Sequence, residues 1–178
     1  MQRRVTEFAA LFVSGVVGLG VAGCAVGMGG PSSNPGVDMS HVEYINPGTL
    51  PSLQGFSHAV KIGPVIYISG EIPVDSTGAL IGGADVKAQM QQALRNLLFV
   101  VHIAGARPND VAKLTIHVVG LDSTRARQVH EAVAEVFTPR YQPAGVIVGV
   151  QTLPHEGVLV AVDAVAVARA MFYPKDAE

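Results

Sequence analysis

Residues 142–154 read Q-P-A-G-V-I-V-G-V-Q-T-L-P, and this stretch decides the fold. Its centre, Val146–Val150, is rich in β-branched residues and is predicted to form a strand. Glycine inside a strand indicates a bulge or the close approach of another group. Gly145 and Gly149 are therefore expected to widen a pocket beside this strand and to leave it apolar.

Regular elements are predicted on both sides of this strand. Val158–Val167 follows it as a further strand. Before it, Thr124–Phe137 carries apolar residues at helical spacing, with Ser123 as the expected N-cap. Val111–Val119 alternates between apolar and polar residues, which is typical of a strand with one buried face.

A longer helix and a hairpin precede these elements. Asp85 lies where an N-cap belongs, apolar residues recur every three or four positions from Val86 onward, and Gly105 suits the C′ position that ends the helix. Earlier in the chain, Phe56–Ile62 and Val65–Ser69 flank a Gly-Pro turn, and this arrangement predicts a β-hairpin.

The predicted order of elements is β-β-α-β-α-β-β. It indicates an α+β fold in which two helices pack on one face of a single sheet. The opposite face of the sheet still carries apolar side chains. Because assembly into a closed oligomer is the simplest way to bury such a face, we expect an oligomer.

Composition is typical of one globular domain. The chain has 178 residues, of which 49% are hydrophobic and 15% are charged, so there is ample material for one core. The formal net charge is −2 and no basic run occurs, so nothing favours nucleic-acid binding. Cys24 is the single cysteine, which excludes an intrachain disulfide.

The N-terminus is predicted to be an export segment. Arg3 and Arg4 precede Phe8–Val21, an apolar, glycine-rich stretch that is too short for a comfortable membrane span. The tetrapeptide V-A-G-C that ends at Cys24 is similar to a bacterial lipobox, in which the cysteine is acylated and becomes the first mature residue. An ordinary secretory signal with an accidental cysteine is the alternative.

These features divide the chain into four parts. Residues 1–23 are predicted to be a lipoprotein signal peptide, and residues 24–41 a flexible tether rich in Gly, Pro and Ser. Residues 42–170 are the predicted folded domain, and residues 171–178 a polar tail. We expect the mature protein in the cell envelope, anchored by its acylated cysteine on the periplasmic or extracytoplasmic side of a membrane.

Several motifs resemble the RidA (YjgF) family, in the same order. Residues 54–60, Q-G-F-S-H-A-V, are similar to the family's G-P-Y-S-x-A-V, and residues 68–73, I-S-G-E-I-P, to its S-G-Q-I-P. Residues 88–96 resemble its helix motif Q-x-x-x-x-L-x-N, and residues 159–166 its closing strand V-E-I-E-A-I-A. The resemblance covers residues 44–168 and implies a chorismate-mutase-like fold, a homotrimer and ligand pockets between subunits.

The same resemblance implies that the usual chemistry is altered. Family members that hydrolyse 2-imino acids have an arginine that clamps the substrate carboxylate, and this chain has Gly145 there. The glutamate that helps to place the hydrolytic water corresponds to Ala161. Glycine offers no cation and no donors for a bidentate contact. The residues expected to line the ligand pocket are Phe56, Ser69, Gly70, Glu71, Gly145, Val146, Ile147 and Ala161.

Two residues are candidates for any remaining catalysis. His130 replaces a family asparagine on the second helix and could act as a base or proton donor if it faced the pocket. A solvent-facing helix histidine is the alternative. Asp163 is a carboxylate in an apolar strand and needs a partner, either near the pocket or at a subunit interface. His58 and Glu71 are interpreted as a cross-strand surface pair in preference to an acid–base pair.

Three functions follow as hypotheses. The first is a membrane-tethered family member that binds a small, mostly apolar molecule between subunits without the family reaction. The second is an active enamine or imine hydrolase whose site is rearranged around His130 or Asp163. The third is a lipoprotein that uses the trimer only as a platform for a protein partner. No cofactor or metal is expected, because the histidines lack ligand spacing. RNA cleavage, which the older family label endoribonuclease suggests, is supported by neither the charge nor the residues.

Overall fold

The computed structural model describes residues 41–169, which form one six-stranded sheet with two helices. The α+β class predicted from the sequence is confirmed, with one strand, β1, that the sequence analysis missed. In chain order the elements are β1 (Val42–Ile45), β2 (Ala59–Ile62), β3 (Val65–Glu71), α1 (Val86–Ile103), β4 (Val111–Val119), α2 (Ser123–Val136), β5 (Ala144–Val150) and β6 (Val160–Val167).

The predicted segments at both ends of the chain fall largely outside the described residues. The signal peptide 1–23, the lipidation residue Cys24 and the tail 171–178 all lie there, as does the tether 24–41 apart from His41. Within residues 41–169, no helix combines the length and apolar character that crossing a bilayer requires.

The order of strands in the sheet is β1-β2-β3-β6-β4-β5. All neighbouring strands are antiparallel except β4 and β5, which run parallel and are connected through α2. The last strand of the chain, β6, therefore inserts between β3 and β4, and β5 lies at one edge of the sheet. This topology places Gly145 and Gly149 on an edge strand.

The helix ends follow from side-chain capping. The Asp85 carboxylate accepts hydrogen bonds from the backbone N–H groups of Lys87 at 2.9 Å and Ala88 at 3.2 Å, which confirms the predicted N-cap of α1. Gly105 has φ +82° just beyond α1, as its predicted C′ position requires. The predicted cap of α2 is wrong by one residue, because Asp122 accepts from the Arg125 N–H at 2.8 Å.

Both helices cover the same face of the sheet. From α1, the side chains of Met90, Leu94 and Leu97 are fully buried against strand residues such as Ile66 and Val162. The opposite face carries large apolar side chains that remain exposed, among them Tyr44, Tyr67, Val146 and Val167. This uncovered face agrees with the sequence-based expectation that one side of the sheet lacks a helical layer.

Candidate functional site

A cleft of about 580 Å³ lies between α2 and the edge strand β5. His130 on α2 lies on one side of this cleft, and Gly145, Val146 and Ile147 of β5 lie on the other. Four of the residues singled out in the sequence are therefore brought together. His130 is an exposed residue of α2 that borders this cleft.

The lining of this cleft is mostly apolar. Its polar side chains are those of His130 and Gln142, and no Arg or Lys is among the described residues that line it. The apolar lining residues include Leu114, Ile116, Val133, Phe137 and Pro143. The cleft thus presents neither a fixed positive charge nor the paired donors that recognise a carboxylate.

The glycines of β5 have different surroundings. A Cβ atom at Gly145 would meet only the carbonyl oxygen of Leu114, at an ordinary contact distance of 3.6 Å. A Cβ atom at Gly149 would lie 3.1 Å from the Cβ of Leu121, which is tight. Packing therefore explains Gly149 and not Gly145. The register between β4 and β5 is continuous, so the bulge considered from the sequence does not occur here.

The two glycines should differ in their tolerance of alanine. We expect Gly149→Ala to lower the free energy of unfolding by about 1 kcal/mol, because its Cβ would lie 3.1 Å from the Cβ of Leu121. Gly145→Ala should change it by less than about 0.5 kcal/mol, as for an exposed position away from special contacts. Chemical denaturation of both variants measures this difference. Equal losses would show that the scaffold needs glycine at both positions.

A second group of predicted site residues lies at the end of the β2–β3 hairpin that is farthest from its Gly63-Pro64 turn, away from the cleft. The Ser69 hydroxyl donates to the carbonyl oxygen of Ser57 at 2.6 Å and fastens the loop that carries Phe56. The Phe56 ring is 77% exposed, and Gly70 is exposed beside it. In one chain these residues face solvent and do not line the cleft beside Gly145.

Glu71 belongs to a buried pair with His58. Its Oε1 lies 2.8 Å from Nδ1 of His58, and both residues are only 3% exposed. The predicted pairing of these residues is confirmed, but the surface position is wrong, because the loop before β2 closes over them. Since the carboxylate is occupied by His58, Glu71 does not line the cleft.

The hydrogen bonds of His58 fix the position of one proton on its ring. Nε2 lies 3.0 Å from the carbonyl oxygen of Pro51, which can only accept, so Nε2 carries a proton. Burial raises the pKa of Glu71, while the hydrogen bond and charge of His58 act in the opposite direction. The pair is held together by the hydrogen bond between Glu71 Oε1 and His58 Nδ1.

Ala161 and Asp163 lie on β6, on the face of the sheet that the helices leave uncovered. Ala161 is directly opposite His117 on β4, and Asp163 is opposite Thr115. The Asp163 carboxylate lies 3.8 Å from Nδ1 of His117, and both side chains are partly exposed. The chain therefore does not bring its two candidate catalytic residues together, because His130 faces the cleft on the other side of the sheet.

The predicted pocket residues form two groups that one chain keeps apart. One group lines the cleft. The other comprises Phe56, Ser69, Gly70 and Ala161. Ala161 belongs with the latter because it precedes Val162, the β6 residue that pairs with Glu71. Gly145 pairs with Leu114 on the helix-covered face, so positions 145 and 161 face opposite sides of the sheet.

Sequence reasoning missed several lining residues of the cleft. Val133 and Phe137 belong to the apolar helical pattern of residues 124–137, and they form part of the cleft wall as well. Gln142 was predictable as a lining residue, because it lies in the loop directly before β5. Among residues 41–169, no group of three or more His, Cys, Asp or Glu side chains could hold a metal ion.

The fold and cleft define a class: a mixed α+β domain with one helical layer and a mostly apolar, ligand-sized cleft at an edge strand. Residues 48–168 match the family model described as Endoribonuclease L-PSP. The chain belongs to this family, the RidA/YjgF family, whose relatives it matches over most of their length.

Relatives and solved structures agree with this membership. The chain is 35% identical to a RutC family protein of Pyrococcus abyssi over 112 residues, which are 62% of this chain and 84% of the relative. It is 36% identical to the 2-iminobutanoate/2-iminopropanoate deaminase of Salmonella typhimurium over 121 residues, 67% of this chain and 88% of that protein. The crystal structure of RidA from an Antarctic Psychrobacter aligns with a TM-score of 0.63 at 30% identity, covering 70% of this chain and 98% of the other.

Proposed function

We propose that this protein binds a small, mostly apolar molecule in the cleft between α2 and β5. We further propose that it hydrolyses 2-imino acids far more slowly than the family's deaminases. The observation that carries the proposal is the lining of the cleft, where Gly145 leaves the site without a cation. An anionic substrate would lose its solvation in this cleft and gain no ion pair in exchange.

The proposal includes a homotrimer with each cleft completed by a neighbouring copy. Its support is the separation of the predicted pocket residues into two groups, one at the Gly145 cleft and one around Phe56 and Gly70. A second copy that buries the uncovered face of the sheet could carry its Phe56 loop to the cleft. Burial of exposed side chains such as Tyr67 and Val146 would favour that assembly.

The proposal also places the protein in the cell envelope. Its support is the sequence alone, in which a basic and apolar N-terminal segment ends in Cys24. Acylation of that cysteine would hold the domain at a membrane, with the tether between them. The ligand would then be a molecule that meets the protein outside the cytoplasm.

A comparison of imine hydrolysis tests the function. We expect the wild-type protein to hydrolyse 2-iminopropanoate at least about a thousandfold more slowly than the Salmonella relative. A missing bidentate charged contact weakens substrate affinity about ten- to a hundredfold. A missing general acid or base costs about 10²–10⁴ in rate. Steady-state rates for both purified proteins check this, and a rate within about tenfold of the relative's would refute the loss of activity.

A second candidate function is imine or enamine hydrolysis at a rearranged site. The observation in its favour is the position of His130, which lines the cleft. If the wild-type protein proves active, His130→Ala should remove that activity, while the matched change His155→Ala in an exposed loop should leave it intact. Equal activity in the two variants would exclude His130 from the reaction.

A further inference from the structure

A second cavity, of about 340 Å³, lies where α1 ends, and hydrogen-bond donors dominate its polar lining. The turn after α1 forms part of its wall, together with the short 3-10 helix Pro108–Asp110 and residues that follow α2 and β6. The polar side chains that line it are His102, Arg107, Asn109, Asp110, Tyr141 and Arg169.

Asp110 is the one carboxylate among the described lining residues, and it is already occupied. Its Oδ1 lies 2.9 Å from Nε of Arg169, and its Oδ2 accepts from the backbone N–H of Arg107 at 3.0 Å. The Asp110 side chain is only 7% exposed. One carboxylate can balance one of the two lining guanidinium groups, so the cavity keeps a net positive charge.

Two further cations lie close to this cavity. The guanidinium carbon of Arg140 is 5.4 Å from the centroid of the Tyr141 ring. The ammonium group of Lys61 donates to the carbonyl oxygen of Ala104 at 2.9 Å, next to the turn that forms the wall. Both charges make the local electrostatic potential more positive.

The C-terminal end of α1 acts against an anion here, because the last carbonyls of a helix carry partial negative charge. Most of these carbonyl oxygens already accept hydrogen bonds. Three of them, from Val100 to His102, accept from backbone N–H groups of the following turn at 2.9 to 3.0 Å. The Ala104 carbonyl accepts from Lys61. The opposing dipole is thereby weakened on the side that faces the cavity.

We propose that this cavity binds a small anion with at least two acidic oxygens, either a phosphate monoester or a polycarboxylate, between Arg107 and Arg169. The planar guanidinium fork matches the oxygens of both groups. The cavity volume lies within the range of small-ligand sites. Tyr141 lines this cavity and the next residue, Gln142, lines the cleft beside Gly145, so one loop borders both sites.

Titration calorimetry on the full chain at constant ionic strength tests the site, with inorganic phosphate and citrate as separate probes. We expect at least one probe to bind with a Kd below about 1 mM. Arg107→Gln should weaken that binding about ten- to a hundredfold, because one charged contact is lost. The matched control is Arg95→Gln, which removes the same charge from an exposed position on α1 outside the cavity. The tighter probe identifies the anion as a phosphate or a carboxylate.

Two outcomes would overturn the site. One is the absence of heat for both probes up to about 10 mM. The other is equal weakening by Arg107→Gln and Arg95→Gln, which would indicate general charge attraction. If Arg107→Gln fails to fold, NMR titration of the wild-type chain decides instead. The amides of Ala106 and Tyr141 must then shift together with added probe, and their constancy would refute the proposal.

Discussion

The double variant Gly145→Arg with Ala161→Glu should hydrolyse 2-iminopropanoate about 10³- to 10⁶-fold faster than the wild-type protein. The lower bound combines a tenfold gain in carboxylate affinity with a hundredfold gain from a positioned acid. The backbone at position 145 accepts a side chain, since a Cβ there meets only the Leu114 carbonyl oxygen, at an ordinary 3.6 Å. A carboxylate at position 161 would lie across the ladder from His117, which gives it a partner.

Three controls test whether the two introduced charged side chains cause this gain in rate. Gly145→Gln adds a long polar side chain without a charge and should leave hydrolysis unchanged. Each single variant should recover only part of the rate, because the two positions supply different functions. Light scattering must show the same oligomer in all variants, since positions 145 and 161 face opposite sides of the sheet. A folded double variant with wild-type oligomeric state and no added turnover would mean that other residues silence the site.

Removal of the Glu71 carboxylate should lower the free energy of unfolding strongly. We expect Glu71→Ala to lower the free energy of unfolding by about 3 kcal/mol, because it leaves the buried Nδ1 of His58 without a partner. Glu71→Gln keeps a hydrogen-bonding group next to Nδ1 and should cost less than about 1 kcal/mol. Urea denaturation of the three proteins measures this order, and equal losses would indicate that packing dominates over the hydrogen bond.

The stability difference between wild type and Glu71→Gln should depend on pH in a defined direction. Burial raises the pKa of Glu71 above its ordinary value of 4.5, so the folded state holds this proton more tightly than the unfolded state. The contribution of this bound proton to the free energy of unfolding is complete below pH 4.5. It is lost as the pH rises through the raised pKa of Glu71 in the folded state. The wild type should therefore lose stability relative to the variant over this window. A constant difference in unfolding free energy would contradict the raised pKa.

Most of the fold was predictable because local chemistry marks it. The Asp85 cap, the apolar stripe after it and Gly105 define α1 through contacts within a few residues. The edge strand β1 was missed for a physical reason. Only Ile45 of its four residues is buried, and its stability comes from the ladder with β2, a long-range contact that no local pattern encodes.

The candidate site was predictable in part. The strand residues around Gly145 and the helix residue His130 line the same cleft, because α2 connects two neighbouring parallel strands. The distribution of the other residues depends on β6 inserting between β3 and β4, which the sequence does not reveal. Likewise, burial of the His58–Glu71 pair depends on the Pro51 carbonyl, which a distant part of the loop supplies.

The two helices differ in how many of their residues are buried. α1 buries nine of its residues, whereas α2, which forms a wall of the cleft, buries Val129 and Ala132 alone. Substitutions at the exposed cleft residues His130 and Ala134 therefore touch little of the interior, and each should change folding stability by only about 0.5 kcal/mol. Substitutions on α2 can therefore change which ligand the cleft binds during evolution, while the buried residues of α1 preserve the fold.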